Sequence, residues 1–81
     1  MSIRVLFFAF LADVTGLRET EMDAAAFPDV GSIYNYFEAA YPQLGFYRAT
    51  LMYALNSEFA NPGSPVKDGD EVAFLPPVSG G

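Results

Sequence analysis

The chain predicts an α+β fold, a mixed sheet of about five strands with one main helix packed on one face. Three observations carry this expectation. Strand-like segments rich in β-branched and aromatic residues stand near both ends of the 81-residue chain, and helical periodicity falls between them. Glycine, proline, aspartate and asparagine punctuate the segments where turns are needed. The composition, 52% hydrophobic with 8 Phe and 5 Tyr, is enough for one small core without covalent staples.

The elements follow in order. IRVLFFAFLA (residues 3–12) has the composition and length of a strand. DVTG (13–16) reads as a turn or short helical connection, and RETEMDA (18–24) as a second strand with Thr20 and Met22 set against Glu19, Glu21 and Asp23. Asp29 is positioned to cap a helix, because its carboxylate can accept from the first free backbone amides. Val30, Ile33, Phe37 and Tyr41 then form one apolar stripe, and Pro42 ends the helix. TLMYALN (50–56) is a third strand and SEFANP (57–62) a shorter one, followed by the loop PGSP. DGDEVAFLPP closes the order with a tight turn, in which Gly69 is free to take positive φ, and a last strand stopped by Pro76 and Pro77. A hairpin, one helix across the sheet and a last strand returning to its centre make the β-grasp, or ubiquitin-like, fold. No internal repeat or low-complexity block interrupts this order.

Alternation along the strands leaves apolar residues without a place in the core. If Arg4 faces solvent, Ile3, Val5 and Phe7 face the helix, while Leu6, Phe8 and Phe10 share the side of Arg4. On the last strand Val72 and Phe74 point inward, and Glu71, Ala73 and Leu75 outward. Leu6, Phe8 and Leu75, with Phe59 of the short strand, therefore form a candidate partner-binding surface on the face away from the helix, where an uncovered apolar patch marks an interaction site. A covering loop or a bulge that shifts the phase is the alternative.

The chain has no cysteine and no histidine. That excludes disulfides, thiolate nucleophiles and cysteine metal sites, and removes the usual general base. Ten acidic against four basic residues give a formal net charge of −6, the wrong sign for nucleic acid or an anionic membrane surface. The apolar start is too short to span a bilayer and runs into Asp13 without a cleavage pattern. The expectation is a cytoplasmic protein with basic partners, no nucleic acid, no membrane, no metal and no stably bound cofactor.

The ending FLPPVSGG divides the chain into a domain over residues 1–75 and a flexible tail over 76–81. At the average glycine usage of roughly 7%, two closing glycines arise by chance in about 0.5% of chains. They can be a frayed end, but a stiff Pro76-Pro77 exit followed by residues of little bulk also makes a thin peptide for threading into another protein's active site. Pro77, Val78, Ser79 and Gly80 would thread, and Gly81 would carry the reactive carboxylate. Glycine has no Cβ to clash and leaves its carbonyl open to attack. A carboxylate is inert until activated, usually as an acyl adenylate; it can then accept sulfur and become a thiocarboxylate, a nucleophile that needs no cysteine.

The contiguous motif VKDGDEVAFLPPVSGG (Val66 to Gly81), IRVLFFA at the start, Phe27-Pro28 and Val30 before the helix, and ALN (54–56) carry a family likeness. Over almost its whole length the chain resembles the small subunits of molybdopterin synthase, the MoaD sulfur carriers. The resemblance implies that a ubiquitin-activating-like enzyme spends ATP to adenylate Gly81 and that a sulfur donor converts it to a thiocarboxylate. It further implies that the tail enters the large synthase subunit, in a heterotetramer of two small and two large chains, and gives sulfur to a cyclic pyranopterin precursor. The chain would then be a carrier subunit, not catalytic alone. Where relatives often have an Arg-Glu pair in the loop after the first strand, this chain has Ala12-Asp13, which keeps the acid and loses the arginine; Leu75 stands where some have Phe. Other sulfur carriers of this fold, serving thiamine or tRNA thiolation, and ubiquitin-like protein modifiers are the rival readings.

Overall fold

A computed structural model describes residues 2–77. Strand β1 covers Ser2–Phe7, helix α1 Phe10–Thr15, β2 Glu19–Asp23, helix α2 Val30–Ala40, β3 Met52–Leu55, β4 Glu58–Ala60 and β5 Glu71–Leu75. Short 3₁₀ turns at Ala24–Ala26 and Pro42–Tyr47 flank α2. The five strands form one sheet in the order β2-β1-β5-β3-β4. β5 lies parallel to β1 and antiparallel to β3, so the last strand does return to the centre. The β-grasp expectation is met.

Helix α2 starts where the sequence places it. Asp29 accepts from the Ser32 amide at 2.8 Å, and the Ser32 hydroxyl is 3.3 Å from the Asp29 amide, a reciprocal capping box. Val30, Ile33 and Phe37 are buried, while Tyr41 caps the end of the helix half-buried. Tyr34, beside Ile33 on the same stripe, is fully buried and donates its hydroxyl to the Leu44 carbonyl at 2.6 Å. Burial pushes its phenol up to about 12. These side chains meet Ile3, Val5, Phe7, Tyr53, Val72 and Phe74 from the inner face of the sheet, closing a single core.

The first strand is shorter than the sequence predicts. β1 ends at Phe7, Ala9 takes φ 51, and residues 10–15 are helical instead of extended. Burial explains the change. Leu11 and Thr15, one helical turn apart, both turn into the protein, and the Thr15 hydroxyl donates to the Leu11 carbonyl at 3.1 Å. Phe10 therefore does not extend the outer face of the sheet; its ring sits 4.9 Å from that of Tyr47. Ala12-Asp13 lies in this helix and not in a loop.

The turn before β5 is held by Asp70, the one buried acidic residue among the described residues. Its oxygens accept from the Asn56 side-chain amide at 3.0 Å and the Lys67 backbone at 2.9 Å. Asn56 answers by accepting from the Glu71 amide at 2.9 Å. Gly69, at φ 89, makes the tight turn that the sequence assigns to it. Within KDGDE, Asp70 thus fastens the hairpin turn between β3 and β4 to the start of β5.

Candidate functional site

The outer face of the sheet is zoned by strand register. One row across it reads Glu19, Leu6, Ala73, Ala54, Phe59, from the pairs Leu6–Glu19, Leu6–Ala73, Ala54–Ala73 and Ala54–Phe59. A second row pairs Leu75 with Met52. The two alanines sit between larger side chains and leave a depression. Leu6, Phe8, Ala54, Ser57, Phe59, Glu71, Ala73 and Leu75 line a hollow of about 270 Å³ there. Phe8 is 44% and Phe59 77% exposed, values far from those of core phenylalanines. Leu6, Phe8, Phe59 and Leu75, the candidates from the sequence, therefore meet in one apolar groove.

The far end of the same face is charged. Arg4 donates to both oxygens of Glu19, at 2.8 and 3.1 Å, and reaches Glu71 at 3.4 Å. The Arg4 hydrogen bond holds the Glu19 carboxyl below its ordinary range. These groups are half-exposed, so salt screens them and they contribute little to the fold. They bound the groove on one side and leave its apolar end beside Leu75, where the chain leaves the sheet.

Sequence reasoning missed the floor residue Ala54 and the wall residue Ser57. Ala54 could have been found by stepping two residues from Met52 on a half-exposed strand. Ser57 could not, because its place follows from the β3–β4 turn. A second hollow, lined by Leu6, Phe7, Phe8, Ala9, Ala12, Asp13, Arg18 and Glu19, adjoins the first and shares Leu6 and Phe8 with it. Among the described residues no cluster of three or more acidic side chains could hold a metal ion, and no helix is long and apolar enough to cross a membrane. No buried side-chain polar atom there lacks a hydrogen-bond partner. Pro77 is exposed beyond β5; the expected threading residues Val78, Ser79 and Gly80 and the expected reactive Gly81 lie outside the described residues.

Comparison with known proteins adds to this geometry. The profile of the ThiS family matches residues 5–81. The molybdopterin synthase sulfur carrier subunit of Escherichia coli is 40% identical over 98% of this chain and 99% of its own length. Among solved structures, SAMP1 of Haloferax volcanii, a small archaeal modifier protein, is 31% identical with a TM-score of 0.78, and each chain is fully covered. A complex of subunits 1 and 2 of the molybdopterin-converting factor from Helicobacter pylori contains a chain 26% identical to this one, at full coverage of both, with a TM-score of 0.67. A shared β-grasp sheet and a match that runs through both closing glycines agree: this chain belongs to the ThiS family, among the molybdopterin synthase sulfur carrier subunits.

Proposed function

We propose that this protein is a sulfur carrier of molybdenum cofactor biosynthesis, and that Gly81 is the group it carries sulfur on. The observation that carries the reading is the position of the apolar groove. It lies against Leu75, at the end of the central strand from which the tail departs. A partner that covers Leu6, Phe8, Phe59 and Leu75 receives the threading residues, Pro77 to Gly80, at a fixed angle. Docking energy spent on the sheet then orients a reactive group some residues away, which is how remote binding contributes to catalysis.

The chemistry needs no catalytic side chain from this chain. The Gly81 carboxylate attacks the α-phosphorus of ATP in an activating enzyme and expels pyrophosphate. A donor that delivers sulfur at the oxidation level of sulfide displaces AMP from the acyl adenylate and leaves a thiocarboxylate. In the large subunit of molybdopterin synthase that sulfur passes to the pterin precursor, and hydrolysis returns the carboxylate. A subunit complex of this kind is named for the Helicobacter pylori relative; a stoichiometry of two small and two large chains belongs to the same proposal. An anionic terminus taken into a partner's channel calls for Lys or Arg there, and the net charge of −6 steers association with such partners.

The test compares wild type, Gly80→Phe and a variant extended by one residue past Gly81, each with an activating enzyme, ATP and a sulfur source. One added residue displaces the carboxylate by roughly 3.3–3.6 Å, and a misplacement of about 1 Å can cost ~10²-fold in rate. Pyrophosphate release and the gain of mass on exchange of oxygen for sulfur are expected for wild type and not for the variants, with all three equally folded. An extended chain that is thiolated and delivers sulfur at the wild-type rate refutes the reading. Likeness to SAMP1 favours a second one, a protein modifier joined through Gly81 to lysines; conjugates of higher mass in cells, absent for the Gly81 extension, would identify it.

A further inference from the structure

Among the described residues four turns place a residue at positive φ, and the chain fills them in two different ways. After α1 and before β5 it uses glycine, Gly16 at φ 74 and Gly69 at φ 89, as the absence of a Cβ favours. Neither glycine lines the apolar groove. At the other two turns it keeps a side chain: Ala9 at φ 51, and the pair Asn56 and Ser57 at φ 52 and 71. Asparagine tolerates this region; alanine and serine do so at a cost.

Both departures border the proposed docking face. Ala9 has ψ −134, and the Leu11 amide donates across it to the Phe8 carbonyl at 3.1 Å. This is the geometry of a type II′ turn with Ala9 in the place that glycine prefers. It begins directly after Phe8, whose own amide makes the last bond of its strand, to the Phe74 carbonyl at 3.1 Å. Ala9 lines the hollow that shares Leu6 and Phe8 with the groove. At the opposite end, Asn56-Ser57 forms a two-residue hairpin loop closed by the Leu55–Glu58 pair, a type I′ arrangement whose preferred second residue is glycine. Ser57 lines the groove itself and stands two residues before Phe59.

We propose that Ala9 and Ser57 are positioning residues for partner docking: their backbone strain is retained because their side chains stiffen the turns that present Phe8 and Phe59 and wall the two adjoining hollows. A Cβ narrows the range of φ and ψ open to each turn, so the two exposed phenylalanines are held in place before a partner arrives. Glycine would relieve the strain and at the same time widen that range. Strain at left-handed non-glycine residues gathers where surrounding structure and function require it. This inference rests on the docking role of the groove proposed above.

The experiment measures thermal stability and affinity for the cognate large subunit of molybdopterin synthase in wild type, Ala9→Gly, Ser57→Gly, the double variant and Phe8→Glu. The glycine variants are expected to melt higher, by about 4–8 °C for the double variant, the shift that a modest gain makes in a domain of this size. The double variant should nonetheless bind about fivefold or more weakly, because the added freedom of the turns must be given up on association. Opposite signs for stability and affinity are the signature that a purely structural role would not produce. Unchanged affinity in glycine variants, with Phe8→Glu impaired, overturns the positioning role and leaves the docking face intact. A lower melting midpoint in both glycine variants overturns it as well, since there would be no strain to relieve. A wild type that does not bind the large subunit at all removes the docking role and this inference with it.

Discussion

Phe74 and Leu75 are neighbours on β5 with opposite fates. Phe74 is fully buried, within 5.1–5.9 Å of the rings of Phe7, Tyr34 and Tyr53. Leu75 points the other way and stays half-exposed in the groove. The same contrast separates Phe7 from Phe8 on the first strand, where one ring is buried and the other is 44% exposed. A sheet covered by a helix on one side only needs apolar residues on that side. Apolar residues on the other side add little to the isolated domain, so they point to an interaction made outside it. The two faces thus differ in their work: the inner one holds the fold together, and the outer one is the docking surface proposed above.

That division can be broken most sharply at the core. Phe74→Ala should cost about 3–5 kcal/mol of stability, as loss of a large buried aromatic does. A domain of this size holds only about 5–15 kcal/mol in total, so urea denaturation should show much of the variant unfolded under mild conditions. A loss below that of Leu75→Ala would contradict the assignment of faces. The next largest effect is on the other side. Phe8→Glu should weaken binding to the large subunit by about 2 kcal/mol or more with the melting midpoint nearly unchanged, as calorimetry on the free domain would record. A comparable loss of thermal stability would instead make Phe8 a core residue.

A smaller effect sharpens the comparison at the junction of the faces, where Asp70 ties the β3–β4 turn to β5. The Asn56 hydrogen bond, helped by the Lys67 backbone, holds its carboxyl below the ordinary value of 3.8 despite burial. The unfolded chain therefore takes up the proton first as acid is added. Asp70 contributes stability that is present above pH 3.8 and lost as pH falls through its lower folded value. Asp70→Asn should cost about 1–3 kcal/mol at neutral pH, because a buried acceptor becomes a donor facing donors. It should also flatten the dependence of the urea midpoint on pH below that point. An equally steep dependence in the variant would place the acid-labile group elsewhere.

Much of this was legible in the chain because the signals are local. Asp29 specifies a helix start through its own side chain, and Pro42 limits its end through sterics alone. Thr20 and Met22 alternate with acids, so β2 shows its phase. Parity puts Phe8 and Leu75 on the outer face once Arg4 faces solvent. Where the apolar residues run together, parity says nothing. In FFAFLA every second position is apolar in either phase, and the same letters suit a strand or a helix. The choice fell to helix because Leu11 and Thr15 find space in the core one turn apart.

The sequence by itself determined the order of the five strands and the main helix, the sign of the charge, the lack of any histidine or cysteine, and the alternation that leaves Leu6, Phe8 and Leu75 outside the core. Each of these is a property of residue type or of spacing along the chain. Tertiary structure alone decided that Ala54 and Ala73 meet across β3 and β5 to make a floor, that Phe59 and Ser57 close the groove from the far hairpin, and that Phe10 turns away to Tyr47. Those outcomes depend on register between strands distant in sequence, and a shift of one residue would turn each side chain to the opposite face.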